Sequence, residues 1–310
     1  MVIDLITKVK TDNIEQWREL RHRYIGGSVE DAVVGLNPFS SAYSLWAEKT
    51  DKIPAFEGNL ATEVGTYLEE FVAKKFEQET GKKVRRENHS LINDKYPWAI
   101  ANVDRVIVGE NAGLEIKTTS ALNLKRFKNG EYPENYYVQC VHYLAVTGKD
   151  RWYLAVLIGN RDFNIYVIER DEEEIAALME AEKEFWRYVQ AKTPPPADGS
   201  PSTTEAIKTI FKESTEETVD LSAFESDLSQ YTAIGETIDD LKGKREAIGN
   251  RIKSFMGTSN KGLSEHYKIA FQSSTRRSFD IKSFAQDHPD IDLEDYYKES
   301  TSRSFKVYEI

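Results

Sequence analysis

A single cysteine, Cys140, stands in 310 residues. That excludes a disulfide within the chain and points to a reducing, intracellular setting. No cluster of Cys and His at metal-ligand spacing is present, so zinc has no seat. No run of uncharged apolar residues is long enough to span a bilayer, and the opening residues MVIDLITKVK lack a signal-peptide pattern; a cytoplasmic location is the expectation. Positive charge is also scarce. Against 41 Lys+Arg stand 52 Asp+Glu, a net charge of −11, which argues against a protein that coats nucleic acid without regard to sequence or structure. The acid is spread evenly, with 26 basic against 31 acidic residues up to position 192 and 15 against 21 beyond it. No helicase motif suggests a larger motor.

What is present suits a globular chain with one large or two modest cores: 40% hydrophobic and 30% charged residues. TPPPADGSPS at 193–202 reads as a linker by composition. It divides the chain into a domain at 1–192, a linker at 193–204 and a C-terminal domain at 205–310. In the latter, Phe224, Leu228, Tyr231, Ile234, Ile238, Leu241, Ile248, Ile252 and Phe255 keep a three-and-four spacing broken only by Arg245. That predicts a long amphipathic helix whose seam must be buried against residues 207–211 or a neighbouring subunit. Short strands are predicted at 267–271 and 304–310, with a helix at 280–286 between them.

Residues 98–120, WAIANVDRVIVGENAGLEIKTTS, organise the first domain. They read as a strand at 98–108, a turn at 109–113 and a second strand at 114–118. The period of two puts Glu115 and Lys117 on one face and Ile116 on the other. Asp104, on the partner strand, faces them if the hairpin pairs across that turn. Buried charges cost several kcal/mol each unless paired or bound to metal, so three of them on apolar strands mean either a metal-centred site or a plain ion pair between Lys117 and one acid. The residues alone leave both readings open.

Other elements flank this hairpin. A helix is predicted at 13–23, followed by Gly26-Gly27 and by Ser28 as cap of a short helix at 29–36. A helix start after glycines and an arginine suits a phosphate, though on these residues alone a plain cap is the better reading. Leu60, Val64, Leu68, Val72 and Phe76, widened by Tyr67 and Phe71, predict a helix over 60–80 ended by Gly81. Glu69 borders its apolar stripe, and periodicity separates it poorly from Glu70. A helix at 134–146 places Gln139, His142, Tyr143 and Val146 on one face. Strands at 151–157 and 164–169 and a charged helix at 172–190 complete the domain.

IGGS at 25–28, GLNPFSSAYSLWAEKT at 35–50, GTYLEEF at 65–71, ANVDR at 101–105, LEIKTTS at 114–120 and YYVQCVHYLAVTGKDRWYLAVLIG at 136–159 follow one another in order. Together they resemble the YqaJ-type viral recombinases, relatives of phage lambda exonuclease in the PD-(D/E)xK nuclease superfamily, with Val103-Asp104 in place of Pro-Asp. The resemblance covers residues 13–190 and implies an α/β fold: a mixed sheet flanked by helices around a restriction-endonuclease-like core, followed by a C-terminal α+β domain. It implies that Asp104 and Glu115, with the backbone carbonyl of Ile116 and the helical Glu69, hold Mg²⁺ or Mn²⁺ as two ions. Lys117 would orient or deprotonate the attacking water, Gln139 would complete the catalytic set, and Arg21 and Ser28 would grip a 5′ phosphate; His142 and Tyr143 carry no implied role. The implied activity is 5′→3′ digestion of double-stranded DNA ends. The resulting 3′ overhangs would pass to a RecT-type annealing protein in a phage-infected or lysogenic bacterial cell, with a homo-oligomer as the working form, the trimer being the state that lambda exonuclease suggests. The alternatives are an endonuclease or single-strand nuclease of the same superfamily, or a non-catalytic DNA-end or partner-binding module. The C-terminal domain stays open between oligomer assembly, partner docking and DNA guidance.

Overall fold

The computed structural model describes residues 5–299 and 302–308. The chain forms two compact units, Met1–Phe211 and Lys212–Ile310.

The first unit is built on a five-stranded sheet in the order β3 (Val84–Arg85), β6 (Arg105–Ile107), β7 (Ala112–Thr119), β8 (Arg151–Ile158), β9 (Asp162–Glu169). All neighbours are antiparallel except the central pair β7 and β8. A parallel pair must be joined by a crossover and is covered on both faces. The near-continuous apolar run of β8, RWYLAVLI, meets that demand. On one face Leu114, Ile116, Tyr153 and Ala155 pack under α4 (Leu60–Thr80) through Val72, Ala73 and Phe76. On the other, Trp152, Leu154 and Val156 pack under α5 (Glu134–Thr147) and α6 (Glu172–Ala191) through Cys140, Leu144 and Ile175. Gly113 opposes Trp152 across the central pair, and a Cβ there would collide with the indole ring.

Helix α4 starts and stops where predicted. Asn59 and Thr62 form a reciprocal capping box, and Gly81 closes the helix in the left-handed conformation. Its stripe is only half used. Leu60, Val64, Tyr67 and Phe71 are exposed, and the buried residues are Val72, Ala73 and Phe76, because the sheet lies under the C-terminal half alone.

The strand predicted at 98–108 is two strands. β5 (Ala99–Ala101) belongs to a second, four-stranded sheet in the order β1 (Ile6–Val9), β4 (Ser90–Asn93), β5, β2 (Ile25–Gly26), while β6 belongs to the first. Asn102 bridges the break. Its side-chain oxygen accepts from Ser90 Oγ at 2.6 Å and Trp17 Nε1 at 3.2 Å, and its carbonyl accepts from Tyr143 at 3.0 Å. Polar groups that leave a ladder inside a core need such partners.

The proline-rich stretch lies inside the first unit. Its last proline opens α7 (Pro201–Ile210) at the first helical position, under the Ser200 cap. Thr203 and Ala206 are buried beside α3 (Ala42–Lys49), where Ser41 Oγ meets Thr203 Oγ1 at 2.7 Å.

The second unit holds α8 (Glu225–Met256), the hairpin β10 (Lys261–Leu263) and β11 (Lys268–Ala270), and α9 (Ile281–Asp287). The strand predicted at 304–310 is not formed over residues 304–308, and 309–310 lie outside the described residues. Among the described residues no helix is long and apolar enough to cross a membrane.

Candidate active site

Alternation along β7 turns Leu114 and Ile116 toward α4, and Glu115 and Lys117 toward α5. Asp104 sits just before β6, which pairs with β7 in the register Arg105 to Leu114. From there Asp104 Oδ2 accepts the backbone N–H of Ile116 at 2.8 Å. Lys117 Nζ is 2.8 Å from Glu115 Oε1 and donates to Gln139 Oε1 at 2.6 Å, with the Tyr136 ring 5.5 Å away. Gln139 Nε2 donates to the Tyr143 hydroxyl at 2.9 Å, which in turn donates to the Asn102 carbonyl. Asp104, Glu115, Lys117 and Gln139 therefore converge in one place.

The electrostatics of this group are strained. Burial, and then the neighbouring Glu115, push the Asp104 carboxyl well above the usual carboxylate range. Burial also raises Glu115, opposed by Lys117. For Lys117 burial alone would favour the neutral amine, but Glu115, through charge and hydrogen bond, and Asp104 outweigh it and hold the ammonium above the ordinary lysine value. Among the described residues Glu115 Oε2 is buried with no hydrogen-bond partner, a costly arrangement in a folded core.

A cation between the two acids would reverse these penalties. The donors are hard oxygens, those of Asp104, Glu115 and the Ile116 carbonyl, which fit Mg²⁺ or Mn²⁺ and not zinc. Among the described residues no three His, Cys, Asp or Glu side chains group as a metal cluster. Glu69 is within electrostatic range of both acids, yet its Oε1 is paired with the buried Arg105. Arg105 also bonds Glu70 at 3.2 Å and the Asp104 carbonyl at 2.7 Å. Sequence reasoning passed over this arginine, although a charge between Val103 and Val106 in a strand run was its signal.

Arg21 and Ser28 also come together, on a different footing from the one predicted. The short helix α2 (Glu30–Val33) follows Val29 with no side-chain cap. Ser28 is not its cap: Val29 holds that position, and the Ser28 hydroxyl accepts from Arg21 Nη2. Arg21 stacks 4.4 Å from the Trp17 ring centroid, and burial lowers its pKa. Beneath it Lys49, another residue that sequence reasoning missed, is buried and donates to the carbonyls of Arg21 and Tyr24 at 2.7 and 2.8 Å. Gly27 touches the Tyr143 ring so closely that any Cβ would overlap it. The Arg21 loop is thereby packed against the tyrosine whose hydroxyl bonds Gln139.

A mixed sheet flanked by helices, with Asp104 before one strand and Glu115-x-Lys117 on the next, is the arrangement that the resemblance to PD-(D/E)xK nucleases implies. The YqaJ-like viral recombinase domain matches residues 16–150. The uncharacterized protein YqaJ of Bacillus subtilis strain 168 is 37% identical over 313 residues, spanning 99% of this chain and 98% of that protein. The chain belongs to the YqaJ-like viral recombinase family. Its fold is shared with the alkaline exonuclease LHK-Exo of Laribacter hongkongensis, with a TM-score of 0.50 and 20% identity over 57% of this chain and 93% of that one. The complex of that exonuclease with dAMP aligns over the same shares at 20% identity and a TM-score of 0.49.

Proposed function

We propose that this chain is a metal-dependent deoxyribonuclease that digests double-stranded DNA ends in the 5′→3′ direction and leaves 3′ single-stranded overhangs for an annealing protein of the RecT type. The observation that carries the reading is the convergence of Asp104, Glu115 and Lys117 around a buried, unpartnered carboxylate oxygen. Family membership and the fold shared with an alkaline exonuclease support it.

Asp104, Glu115 and the Ile116 carbonyl would hold Mg²⁺ or Mn²⁺, with Glu69 available to a second ion once released from Arg105. When bound, the metal supplies Lewis acidity that activates water and neutralises charge on the phosphate oxygens. Lys117 would orient the attacking water, its ammonium opposing the charge that builds on the phosphorus oxygens. Gln139 holds that ammonium in place. Arg21 and Ser28 would receive the 5′ phosphate of the strand being shortened, the guanidinium fork matching its oxygens.

The test is digestion of linear duplexes labelled at the 5′ or the 3′ end, in Mg²⁺ or EDTA, beside a closed circle. Mg²⁺-dependent release of 5′ label with the circle intact is the expected result. Cutting of the circle would mean an endonuclease, and no cutting in any divalent metal would mean a binding module.

A further inference from the structure

Helix α8 runs for 32 residues without burying one of them. Its seam is apolar nonetheless: Ile234, Ile238, Leu241, Ile248, Ile252 and Phe255 are between 40% and 93% exposed. Tyr231, one turn earlier, is met by Phe305 of the same unit at 5.6 Å between ring centroids, so the open seam begins at Ile234. From there to Phe255 the spacing is a heptad seam, apolar except at Arg245 and about 32 Å long at the rise of an α-helix. Gly235, Gly243 and Gly249 lie within it, each worth about 1 kcal/mol less than alanine to a helix. A helix of this composition takes its stability from packing against a partner.

Two features of α8 name the partner and its direction. The half at 225–240 carries Glu225, Asp227, Glu236, Asp239 and Asp240 and no basic residue; the half at 241–256 carries Lys242, Lys244, Arg245, Arg251 and Lys253 against Glu246 alone. The helix dipole does not explain this division, since its influence fades within the terminal turns and Asp239, Asp240, Lys242 and Lys244 are central. Second, Arg245 occupies a seam position. In a parallel pair the two Arg245 guanidiniums would face each other across the core, and each half would meet its own charge. In an antiparallel pair Arg245 faces an apolar seam residue, and the acidic half of each helix lies along the basic half of the other.

We propose that two copies of this chain pair antiparallel through α8. The pairing is independent of the nuclease reading and of any contact between first units.

The test uses the full chain in two measurements. Light scattering compares the native protein with the doubly substituted Ile238→Asp, Ile248→Asp protein; both positions are solvent-exposed, so the fold is expected to persist and the assembly mass to fall twofold. Dipolar spectroscopy then uses nitroxides at Ser229→Cys or at Lys242→Cys, Cys140 being buried. The antiparallel pair gives a separation of about 40 Å or more at position 229 and within about 20 Å at 242, from the helical rise. An unchanged mass on substitution overturns the proposal. So does a short distance at both positions, which would mean a parallel bundle.

Discussion

Asp104 Oδ2 accepts the backbone N–H of Ile116 at 2.8 Å. The bond pins the acid that precedes one strand between the acid and the lysine of the next. It also fixes Asp104 where burial and Glu115 penalise its charge. An acid whose folded pKa is raised costs stability at every pH above its unfolded value. Asp104→Asn is therefore expected to raise the melting temperature in EDTA at pH 7.5. The same substitution removes a metal donor, so the upward shift that Mg²⁺ produces in the native protein, by ligand linkage, should vanish. Thermal unfolding with and without Mg²⁺ checks both halves, and a retained metal shift in the variant would remove Asp104 from the donor set.

Lys117→Ala deletes the ammonium while leaving Asp104, Glu115 and the Ile116 carbonyl in place. Cleavage is expected to fall by about 10²–10⁴-fold, the usual worth of a positioned proton-handling or charge-stabilising group. Metal-dependent binding of a duplex end, read by fluorescence anisotropy in Ca²⁺, should stay near the native value. Normal cleavage by the variant would overturn the site.

Tyr143 is the hinge between Gln139 and the backbone of Asn102, through bonds of 2.9 and 3.0 Å. Tyr143→Phe keeps the ring against Gly27 and removes only the hydroxyl. A lost hydrogen bond of about 1 kcal/mol corresponds to roughly a five- to tenfold lower single-turnover rate. The loss should appear in kcat with little change in KM; a loss confined to KM would mean that the hydroxyl serves DNA binding instead.

Local signals were legible and long-range ones were not. The bounds of α4 followed from the apolar row that starts at Leu60 and from Gly81, and the apolar period located α8, because caps and periodicity are written within a few residues of where they act. The break at Asn102 was invisible. Its cause is a set of partners, Trp17, Ser90 and Tyr143, that only the fold brings together. Ser28 misled for the same reason: its hydroxyl is taken by Arg21, seven residues back, rather than by the helix that it precedes. Asp104, Glu115 and Lys117 drew notice as charges on one apolar hairpin, and Gln139 through the family resemblance, whereas the pairing of Glu69 with Arg105 rests on a burial that no local pattern shows.

His142 is fully buried, with Nδ1 2.7 Å from Glu182 Oε1 and Nε2 3.0 Å from the Ile100 carbonyl. Burial alone would lower its pKa, but Glu182, by charge and hydrogen bond, and Glu30 lift it to about 9. A raised histidine adds stability that is complete below its unfolded value of about 6.5 and is lost as pH rises through 9, on the order of 3 kcal/mol. Glu30, pushed up to about 8 by burial, adds a loss of the same sign between about pH 4.5 and 8. The melting temperature should therefore fall steadily from pH 6 to 9.5. Replacing the pair together, His142→Leu with Glu182→Leu, should flatten that slope, while His142→Ala alone leaves a buried carboxylate unpaired and should cost about 3–5 kcal/mol.

Arg21 is held from two sides, by Ser28 at its guanidinium and by Lys49 at its carbonyl. If this loop receives a 5′ phosphate, its value lies in telling phosphorylated ends from hydroxyl ends. Arg21→Ala is expected to slow digestion of 5′-phosphorylated duplexes by at least tenfold, while 5′-hydroxyl duplexes, which never used the contact, are digested at the native rate. A charged hydrogen bond of about 1.5–3 kcal/mol sets that scale. Ser28→Ala should move the same ratio by less, since it removes a neutral hydroxyl contact and the group that orients the guanidinium but leaves the charge in place. Lys49→Met keeps the aliphatic stem but frees the carbonyls of Arg21 and Tyr24, so it should reduce the ratio without altering Mg²⁺ dependence. The measurement is the ratio of initial rates on the two ends for each variant. Equal slowing on both ends would assign Arg21 to the duplex backbone and not to the terminal phosphate.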